Sequence, residues 1–556
     1  MARLPDHPNF EHLKKQAKDL FRLYKSNDSS AFERFRRSLP AAKGRDDNAI
    51  AALGLKLRDA QSTIAREYGL PSWRNLRNNV DWRNSRNSDA REDAVPLWLH
   101  QVYGHENDRP DPQLAVRMLA ARRDLGAGDL MLACAIGDEC AVGAALTADP
   151  ASISRIGNPW RCPGCKQPLG MPPLVAVSHS SLLQLPEFHQ RLIRCARLLL
   201  DAGVDPDQSW MAGEHPLSAL YGAAGKNHDP ELTRILLEAG ANPNDNESLY
   251  HSTEAPDLHC MRLLLEAGAR VDGSNAIHHQ LDREDIEGLR LLLEYTPDVN
   301  HVSSTLPNPL IWAIYRGRSA VHAEALLAAG ADPHALTTHG VTAWRFAMQS
   351  GLREVARLLE LAGAGESLSV EELFVSACSA CDEPEGRRIL STHPDIFSRL
   401  SPIQLHLLPH LAATGNDRAV RLMVELGWPI AVTGGDWNAS ALNHAVFRGD
   451  AALARFLLEH GASWQERHGY GDNVNGTLQW ASRNRPTPQG DWVACADALI
   501  DHGLPILELD GNYSDEVSAH LAEKRSGLLG EQSSGVSVKD EIAGTRGKLL
   551  PPDNVG

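Results

Sequence analysis

The sequence predicts an all-α fold in which short helix pairs follow one another along the chain. A helix-ending phrase recurs as Arg197-Leu-Leu-Leu-Asp-Ala-Gly203, Arg234-Ile-Leu-Leu-Glu-Ala-Gly240, Arg262-Leu-Leu-Leu-Glu-Ala-Gly268, Ala325-Leu-Leu-Ala-Ala-Gly330 and Arg455-Phe-Leu-Leu-Glu-His-Gly461. Degenerate copies end near Thr296, Gly363, His393, Gly427 and Gly503. Nine steps cover the 300 positions from Gly203 to Gly503, about 33 residues each, and such a period is typical of solenoids of stacked repeats.

Each part of the repeat has a structural reason. The Leu-Leu pair of the second helix fills the space between neighbouring pairs, and the glycine after it supplies the positive φ that ends the helix. An Asp-Pro or Asn-Pro dipeptide then turns the chain toward the next unit. First helices are predicted to start at Pro172-Pro-Leu-Val-Ala176, His215-Pro-Leu-Ser-Ala219, Asn308-Pro-Leu-Ile-Trp-Ala313 and Ser440-Ala-Leu-Asn-His-Ala445. The first three have a proline, which suits the first turn of a helix.

These motifs resemble those of bacterial ankyrin-repeat proteins, over residues 128–508. The resemblance implies a solenoid of about eleven helix-turn-helix units, with Asp129–Leu146 as the first. It also implies a concave surface, formed by finger loops and first helices, that binds other proteins. It does not specify a function, because the same fold serves unrelated partners.

A small basic helical module is predicted over residues 1–82. Asn9 is expected to open a helix with Leu13, Ala17, Leu20 and Tyr24 on its inner face, and Ser29 or Ser30 to cap a second. A third helix is predicted from Lys56 to Tyr68, followed by a short turn from Trp73 to Val80. The segment Leu57–Trp73 resembles a stretch found before ankyrin arrays in bacterial proteins.

The remaining segments differ in composition. Residues 83–127 are predicted to hold a polar linker, 83–95, and a lead-in helix near 111–123. Residues 509–556 are predicted to form a helix from Ser514 to Glu523 and then a disordered tail, because the tail lacks any regular apolar spacing.

Charge and cysteine content limit the possible functions. Residues 1–86 hold 18 Lys+Arg against 10 Asp+Glu, whereas the whole chain has a net charge of −16. The basic residues are spread over helix faces without an aromatic-interleaved cluster, so a basic cap on an acidic array is favoured over nucleic-acid tethering, which stays an alternative. Nine cysteines without a disulfide-like pattern, no signal-peptide-like N-terminus and no apolar run of membrane-spanning length predict a cytoplasmic protein.

The sharpest sign of chemistry is the pair Cys162 and Cys165, in an insertion of the second unit. Two thiolates on a tight turn can bind one zinc ion, and His179 and His189 could complete such a site. A zinc- or thiol-dependent activity or sensor is therefore an alternative function, although an uncommitted loop and no cofactor is the favoured interpretation. Cys378 and Cys381 lie 213 or more positions further on in a helical pattern and are expected to pack as small apolar residues.

No catalytic motif is found in the sequence. It has no nucleophile elbow, phosphate-binding loop or His-Glu-x-x-His pattern. The histidines that could suggest acid–base chemistry lie close to the position of the turn histidine of ankyrin repeats, so the resemblance implies that they bridge backbone groups of adjacent units; they are His251, His278, His279 and His444.

The favoured function is a non-catalytic scaffold that binds a partner protein through the concave surface. Tryptophan is enriched among residues that dominate binding energy, which makes candidates of the tryptophans near fingers and first helices, namely Trp210, Trp312, Trp437 and Trp464. The acidic array predicts a partner with a basic patch.

Overall fold

A computed structural model describes residues 4–534, apart from 6–7, 40–41, 54, 71–72, 86–90, 105–109, 158–159, 161–168, 213–214, 302–305 and 507–512. The chain forms two compact units. Unit 1 comprises residues 1–347 and 352–366, and unit 2 comprises residues 348–351 and 367–556.

The N-terminal module of unit 1 begins as predicted. Helix α1 (Phe10–Lys25) starts after Asn9, whose side chain accepts hydrogen bonds from the backbone N–H groups of Glu11 and His12. The predicted inner residues are buried, and Tyr24 at the end of that stripe donates its hydroxyl to the carbonyl of Ile50 at 3.1 Å. Helix α4 (Leu57–Glu67) confirms the predicted third helix to within a residue at each end.

Two details of this module differ from the prediction. Asp28, rather than a serine, caps α2 (Ser29–Ser38), because its carboxylate accepts the backbone N–H of Ser30 at 2.8 Å. A further short helix, α3 (Asp47–Ala51), was not predicted, and it is fixed by the long-range contact of its carbonyl groups with the Tyr24 hydroxyl.

The predicted linker is helical where the structure describes it. The end of helix α5 (Trp73–Ser85) and the start of helix α6 (Arg91–Tyr103) lie within the predicted linker. Helix α7 (Pro112–Ala121) matches the predicted lead-in helix. Ala94 and Val95 are fully buried, so the segment is held by tertiary packing that its polar composition does not reveal.

The rest of unit 1 consists of helix pairs in which a first and a second helix alternate. The pairs are α8 (Leu130–Ile136) with α9 (Glu139–Ala148), α10 (Pro173–Ser178) with α11 (Pro186–Asp201), a π-helix (Tyr221–Lys226) with α12 (Pro230–Glu238), α13 (Ser248–Ser252) with α14 (His259–Glu266), α15 (Ala276–Leu281) with α16 (Ile286–Glu294), α17 (Pro309–Tyr315) with α18 (Ala320–Ala328), and α19 (Ala343–Gln349) with α20 (Arg353–Leu361). Short 3₁₀ helices lie at Arg123–Gly126, Pro150–Ser154 and Ser181–Gln184.

The second helices show how the repeated phrase determines the pairs. Helix α12 is capped by Asp229, buries Leu232 and Leu236, and is followed by Gly240 with a φ of 96°. The closing glycine of each of the five full phrases has a positive φ, as predicted. The sequence therefore fixes where each of these helices ends.

Packing follows chain order. First helices contact first helices, as α15 contacts α13 and α17, and second helices contact second helices, as α18 contacts α16 and α20. This is the packing that the resemblance to ankyrin repeats implies, and it confirms the predicted all-α repeat fold in its main features. The number of units stays a prediction.

The predicted helix start at His215 is wrong. Residues His215–Ser218 form strand β2, which pairs antiparallel with β1 (Ser209–Ala212) in a finger hairpin. The first helix follows as the π-helix, whose start is capped by the Ser218 hydroxyl accepting from the Tyr221 N–H at 2.8 Å. The proline that suggested a helix start pairs with Met211 across the hairpin instead.

Unit 2 continues the same alternation around its own core. Its elements are α21 (Val370–Ser379), α22 (Glu383–Thr392), α23 (Ile396–Arg399), α24 (Pro402–Leu405), α25 (Leu407–Thr414), α26 (Asp417–Glu425), β3 (Thr433–Gly434), β4 (Ala439–Ser440), α27 (Ala441–Arg448), α28 (Ala451–Glu459), α29 (Val474–Asn484), α30 (Trp492–Asp501) and α31 (Asp515–Ser534). One continuous hydrophobic core extends from Phe374 to Leu521. Helix α31 extends to Ser534, so the first residues of the predicted disordered tail are helical, and residues 535–556 lie outside the described part.

Candidate binding surfaces

Half-buried aromatic and histidine side chains line up along the first helices of unit 1. They come from the π-helix, α13, α15 and α17, one or two from each. Their shared location follows from the repeat, since each sits on the first helix of its pair. We call this set the aromatic row, and its members are Tyr221, Tyr250, His251, His279, Trp312 and Tyr315.

Ring contacts connect the members of the row on the π-helix, α13 and α15. Tyr221 lies 5.2 Å from His251, and Tyr250 stacks on His279 at 4.1 Å with an interplanar angle of 19°. Tyr250 and His251 are also in contact, at 4.8 Å. Such aromatic pairs contribute about 0.5–1.5 kcal/mol beyond their burial, so the row is ordered while part of each ring stays exposed.

Trp312 is fixed at the other end of the row. Its indole N–H donates to the His278 carbonyl and the Asp282 carboxylate, both at 3.2 Å. The Arg316 guanidinium lies over the ring, 4.3 Å from its centroid, and 2.8 Å from the Asp282 carboxylate. Tryptophan, arginine and aspartate thus form a stacked and ion-paired group on this face.

Acidic side chains are interleaved with the row. His251 lies 3.3 Å from the Glu247 carboxylate and 3.1 Å from that of Glu254, which is also 3.7 Å from His279. Burial lowers the pKa of His279 below its ordinary value. An imidazole with a lowered pKa is neutral at pH 7, so His279 does not offset the charge of the Glu254 carboxylate.

The other predicted tryptophans occupy different surroundings. Trp210 lies in β1 opposite Leu217, half-buried and next to Met211, which is 55% exposed. Trp437 lies in the turn between β3 and β4, half-buried in a group of rings. Trp464 packs against the core of unit 2, so its side chain fills space between helix pairs.

Two of the four histidines predicted to be structural donate an Nε2–H to a backbone carbonyl. His278 bonds to the Pro307 carbonyl at 2.8 Å, and His444 to the Gly434 carbonyl at 3.3 Å. Burial lowers the pKa of His444 to about 4. His279 instead bonds to the Thr253 hydroxyl at 2.6 Å, and His251 contacts carboxylates, so the prediction of backbone bridging is wrong for His251.

Both histidines suggested for a zinc site have other partners. His179 is 1% exposed, and its Nε2 bonds to the Ser218 carbonyl of the next finger at 2.9 Å. Burial, and next the Lys226 ammonium, lower the pKa of His179 to about 3. His189 Nε2 lies 2.6 Å from the Asp229 carboxylate that caps α12.

The cysteines suggested for that site, Cys162 and Cys165, lie outside the described residues. In the part of the chain that the structure describes, no three potential ligands among His, Cys, Asp and Glu come together as a metal site. Cys378 is buried as expected, and burial raises the pKa of its thiol to about 12, while Cys381 is half-buried. The zinc or thiol alternative therefore stays a prediction.

Lys226 has the most strongly shifted amine of the described lysines. Its ammonium donates to the Tyr103 carbonyl at 2.9 Å, and burial lowers its pKa to about 8. The Tyr103 hydroxyl in turn donates to the Ala176 carbonyl at 2.9 Å. These hydrogen bonds connect α6 to the π-helix and to α10. They give Lys226 a structural role in helix packing.

Several basic side chains of the N-terminal module are neutralised within it. The Arg34 guanidinium donates to both carboxylate oxygens of Glu67, at 2.8 and 2.6 Å, and Arg36 pairs with Asp47. The bidentate bond to Glu67 raises the pKa of Arg34. These pairs favour the interpretation of a basic cap, and nucleic-acid tethering stays untested.

Comparison with known proteins adds little to this picture. No protein-family model matches the chain, and no curated protein matches it either. Among solved structures, the chain is similar to the ankyrin repeat domain of human ASB11, with 20% identity over 41% of this chain and 98% of that chain and a TM-score of 0.20. At that score the likeness carries no argument, so the fold rests on the helix packing described above.

The described helices include none that is long and apolar enough to cross a bilayer. The tyrosines of the row were not predicted as binding residues, because the prediction relied on tryptophan alone. The signal that could have found them is an aromatic or histidine at matching positions of successive first helices, as in Tyr250-His251 and His278-His279.

Proposed function

We propose that this protein is a non-catalytic scaffold that binds another protein through the aromatic row of unit 1. The observation that supports this most directly is that rings lie on the first helices of four successive helix pairs and are joined by ring contacts, with His278 linking α15 to Trp312 at 5.8 Å. Tyrosine and tryptophan supply large contact areas at low entropic cost and are enriched among binding hot spots. Because ring contacts already order these side chains, little further ordering is needed on binding.

The partner's surface is proposed to be basic. Glu247, Glu254 and Asp282 lie among the rings, and the chain has a net charge of −16. Complementary charge mainly raises the association rate, and added salt screens it. Trp210 in the first hairpin is proposed to extend the same contact surface.

The test is an affinity measurement with matched variants of the full chain. A partner is first captured from native cytosol on the immobilised protein and identified, and its Kd is then measured for wild type, Tyr250→Ala, Trp312→Ala and Leu361→Ala. Leu361 is the control, because it is 76% exposed on the second helix α20 and does not belong to the row.

We expect each row variant to weaken binding by about 30-fold, the size of a hot-spot loss, while the control binds like wild type. Circular dichroism of each variant separates lost contacts from lost folding. Unchanged affinity in both row variants, or turnover of the captured molecule, would contradict the proposal.

A further inference from the structure

An open cavity of about 630 Å³ lies in unit 2 between the β3–β4 turn, α27, α29 and the finger that precedes α29. Its walls are mainly aromatic, and it falls within the size range of ligand pockets. The lining side chains that matter here are Trp437, Phe447, His468, Tyr470, Asp472 and Trp480. We call it the unit 2 cavity.

Five rings form a continuous arc along its wall. Trp480 stacks on Phe447 at 5.5 Å and 10°, and Phe447 contacts Trp437 at 5.6 Å. Trp437 contacts His468 at 5.1 Å, and His468 contacts Tyr470 at 5.9 Å. The exposed π-faces of such rings carry negative electrostatic potential.

Two of these rings remain largely in solvent. Tyr470 is 83% exposed and Trp480 is 48% exposed. Neither belongs to the hydrophobic core of the unit, whereas Val474 and Leu478 of α29 do. Large exposed aromatics grouped around one opening are typical of a contact site rather than of core packing.

The finger that holds Tyr470 is fixed by its own backbone. The Gly469 N–H donates to the Trp437 carbonyl at 2.9 Å, and the His468 N–H donates to the Asp472 carbonyl at 3.0 Å. The Arg467 guanidinium closes the loop by donating to the Gly471 carbonyl at 2.6 Å. The rings are therefore presented in a preformed arrangement.

A carboxylate without a counter-ion completes the cavity. Asp472 accepts the backbone N–H of Asn473 at 2.8 Å, and no lysine or arginine in the described part of the chain pairs with it. The neighbouring imidazole does not supply the positive charge, because burial lowers the pKa of His468. An apolar occupant would desolvate this carboxylate without compensation, and an anion would be repelled. The cavity selects for a cation.

The same protein shows which cation suits such a site. In unit 1, Arg316 stacks on Trp312 and lies 2.8 Å from the Asp282 carboxylate. The unit 2 cavity offers the tryptophan faces and the carboxylate but no arginine. A guanidinium is planar, weakly hydrated and able to bond a carboxylate with two N–H groups, so it fits stacked rings beside a carboxylate better than an ammonium does.

We propose that the unit 2 cavity binds an arginine side chain of the partner protein, stacked on its rings and paired with Asp472. This rests on the proposed function, since the arginine belongs to a protein partner. It deepens that function by naming the residue type that the partner's basic surface must present.

The test uses the full chain labelled with 5-fluorotryptophan and observed by ¹⁹F NMR. The chain has 12 tryptophans, and Trp→Phe variants assign the signals of Trp437, Trp480 and the packed Trp464. Three tripeptide amides are titrated, Gly-Arg-Gly and its lysine and citrulline counterparts. Citrulline keeps the shape of arginine but has no charge.

We expect the arginine peptide to shift the Trp437 and Trp480 signals saturably, with a Kd on the order of millimolar for a single side chain, and to leave Trp464 unmoved. Asp472→Asn should weaken this binding about tenfold or more, as loss of a charge-assisted hydrogen bond does. The control Glu459→Gln removes an equal charge from an exposed position on α28, outside the cavity, and should bind like wild type.

No shift at any peptide, equal binding of the lysine or citrulline peptide, or unchanged binding by Asp472→Asn would each overturn the proposal. Trp480→Ala provides a second variant at an exposed side chain, and unchanged binding there would also overturn it. The peptide titration needs no partner protein, so a negative result there does not change the outcome of the affinity measurement on the aromatic row. A negative affinity measurement likewise does not change the result of the peptide titration.

Discussion

Acid should destabilise the region of unit 1 around His179 through this single side chain. An imidazole whose pKa is lower in the folded than in the unfolded chain binds its proton less well when folded. The free energy of unfolding therefore falls as the pH drops below the ordinary value of 6.5 and keeps falling until about 3. Between pH 7 and pH 5 the loss is about 2 kcal/mol, because one pH unit corresponds to about 1.36 kcal/mol.

The loss of unfolding free energy at pH 5 hardly depends on the pKa of His179 in the folded chain, because any pKa near 3 or 4 leaves the folded imidazole neutral at that pH. The perturbation is His179→Gln, whose side-chain amide can still donate to the Ser218 carbonyl but does not titrate. Between pH 7 and pH 5 the free energy of unfolding should fall by about 2 kcal/mol less in the variant than in wild type. Other titrating groups cancel in this comparison, and so does any constant loss of stability in the variant.

Amide hydrogen exchange is the suitable assay, because a chain of two compact units need not unfold in one step. Peptides covering Pro173–Ser178 and the π-helix, corrected for intrinsic exchange rates, should lose about 25-fold more protection in wild type than in the variant. Equal losses in the two proteins would refute the reasoning that burial keeps His179 neutral.

Two further predictions concern packing and hydrogen bonding. Gly222→Ala should lower the free energy of unfolding by about 1–3 kcal/mol, because the new Cβ would lie 2.3 Å from Cδ2 of His179. The control is Gly143→Ala in α9, where nothing lies within 4 Å of the new Cβ. In the same exchange assay this control should be neutral or slightly stabilising. Thr477→Val should cost about 1–3 kcal/mol by urea unfolding, because it leaves the buried Asn443 amide oxygen without the hydroxyl that donates to it at 2.7 Å; an unchanged midpoint would contradict that hydrogen bond.

The parts of the fold that depend on local signals were predictable. Gly240 and the leucines before it determine the end of α12, and they are adjacent in sequence. Asn308 caps α17 and Ser440 caps α27, as their motifs indicated. Such features require only neighbours along the chain.

The parts that depend on distant contacts were not predictable. Helix α3 is fixed by Tyr24, and the π-helix is stabilised by Asn227, whose side-chain amide donates to the Ser178 and Gly222 carbonyls at 2.8 and 3.2 Å. Neither contact has a periodic signal in the sequence. Residues 83–95 were likewise predicted to be a linker, whereas the described ones belong to α5 and α6, and α6 packs against α7 and the 3₁₀ helix Ser181–Gln184.

The candidate surfaces divide in the same way. Trp312 and Trp437 were identified because tryptophan stands out in a sequence, whereas Tyr470 and Trp480 become candidates only when the finger folds against α29. Trp464 was also chosen by residue type, and its ring packs partly buried against the core, so its role in binding stays a prediction. The face of a helix that stays exposed to solvent is determined by the packing of the next helix pair. Such packing cannot be inferred from the neighbouring residues in the sequence.

Site-specific photo-crosslinking tests the central claim most directly. A benzoylphenylalanine that replaces Tyr315, and so keeps a ring in the aromatic row, should crosslink to one discrete protein in native cytosol, and the same group at the exposed position 361 should not. Absence of a discrete product from position 315, or the same products from both positions, would contradict the account.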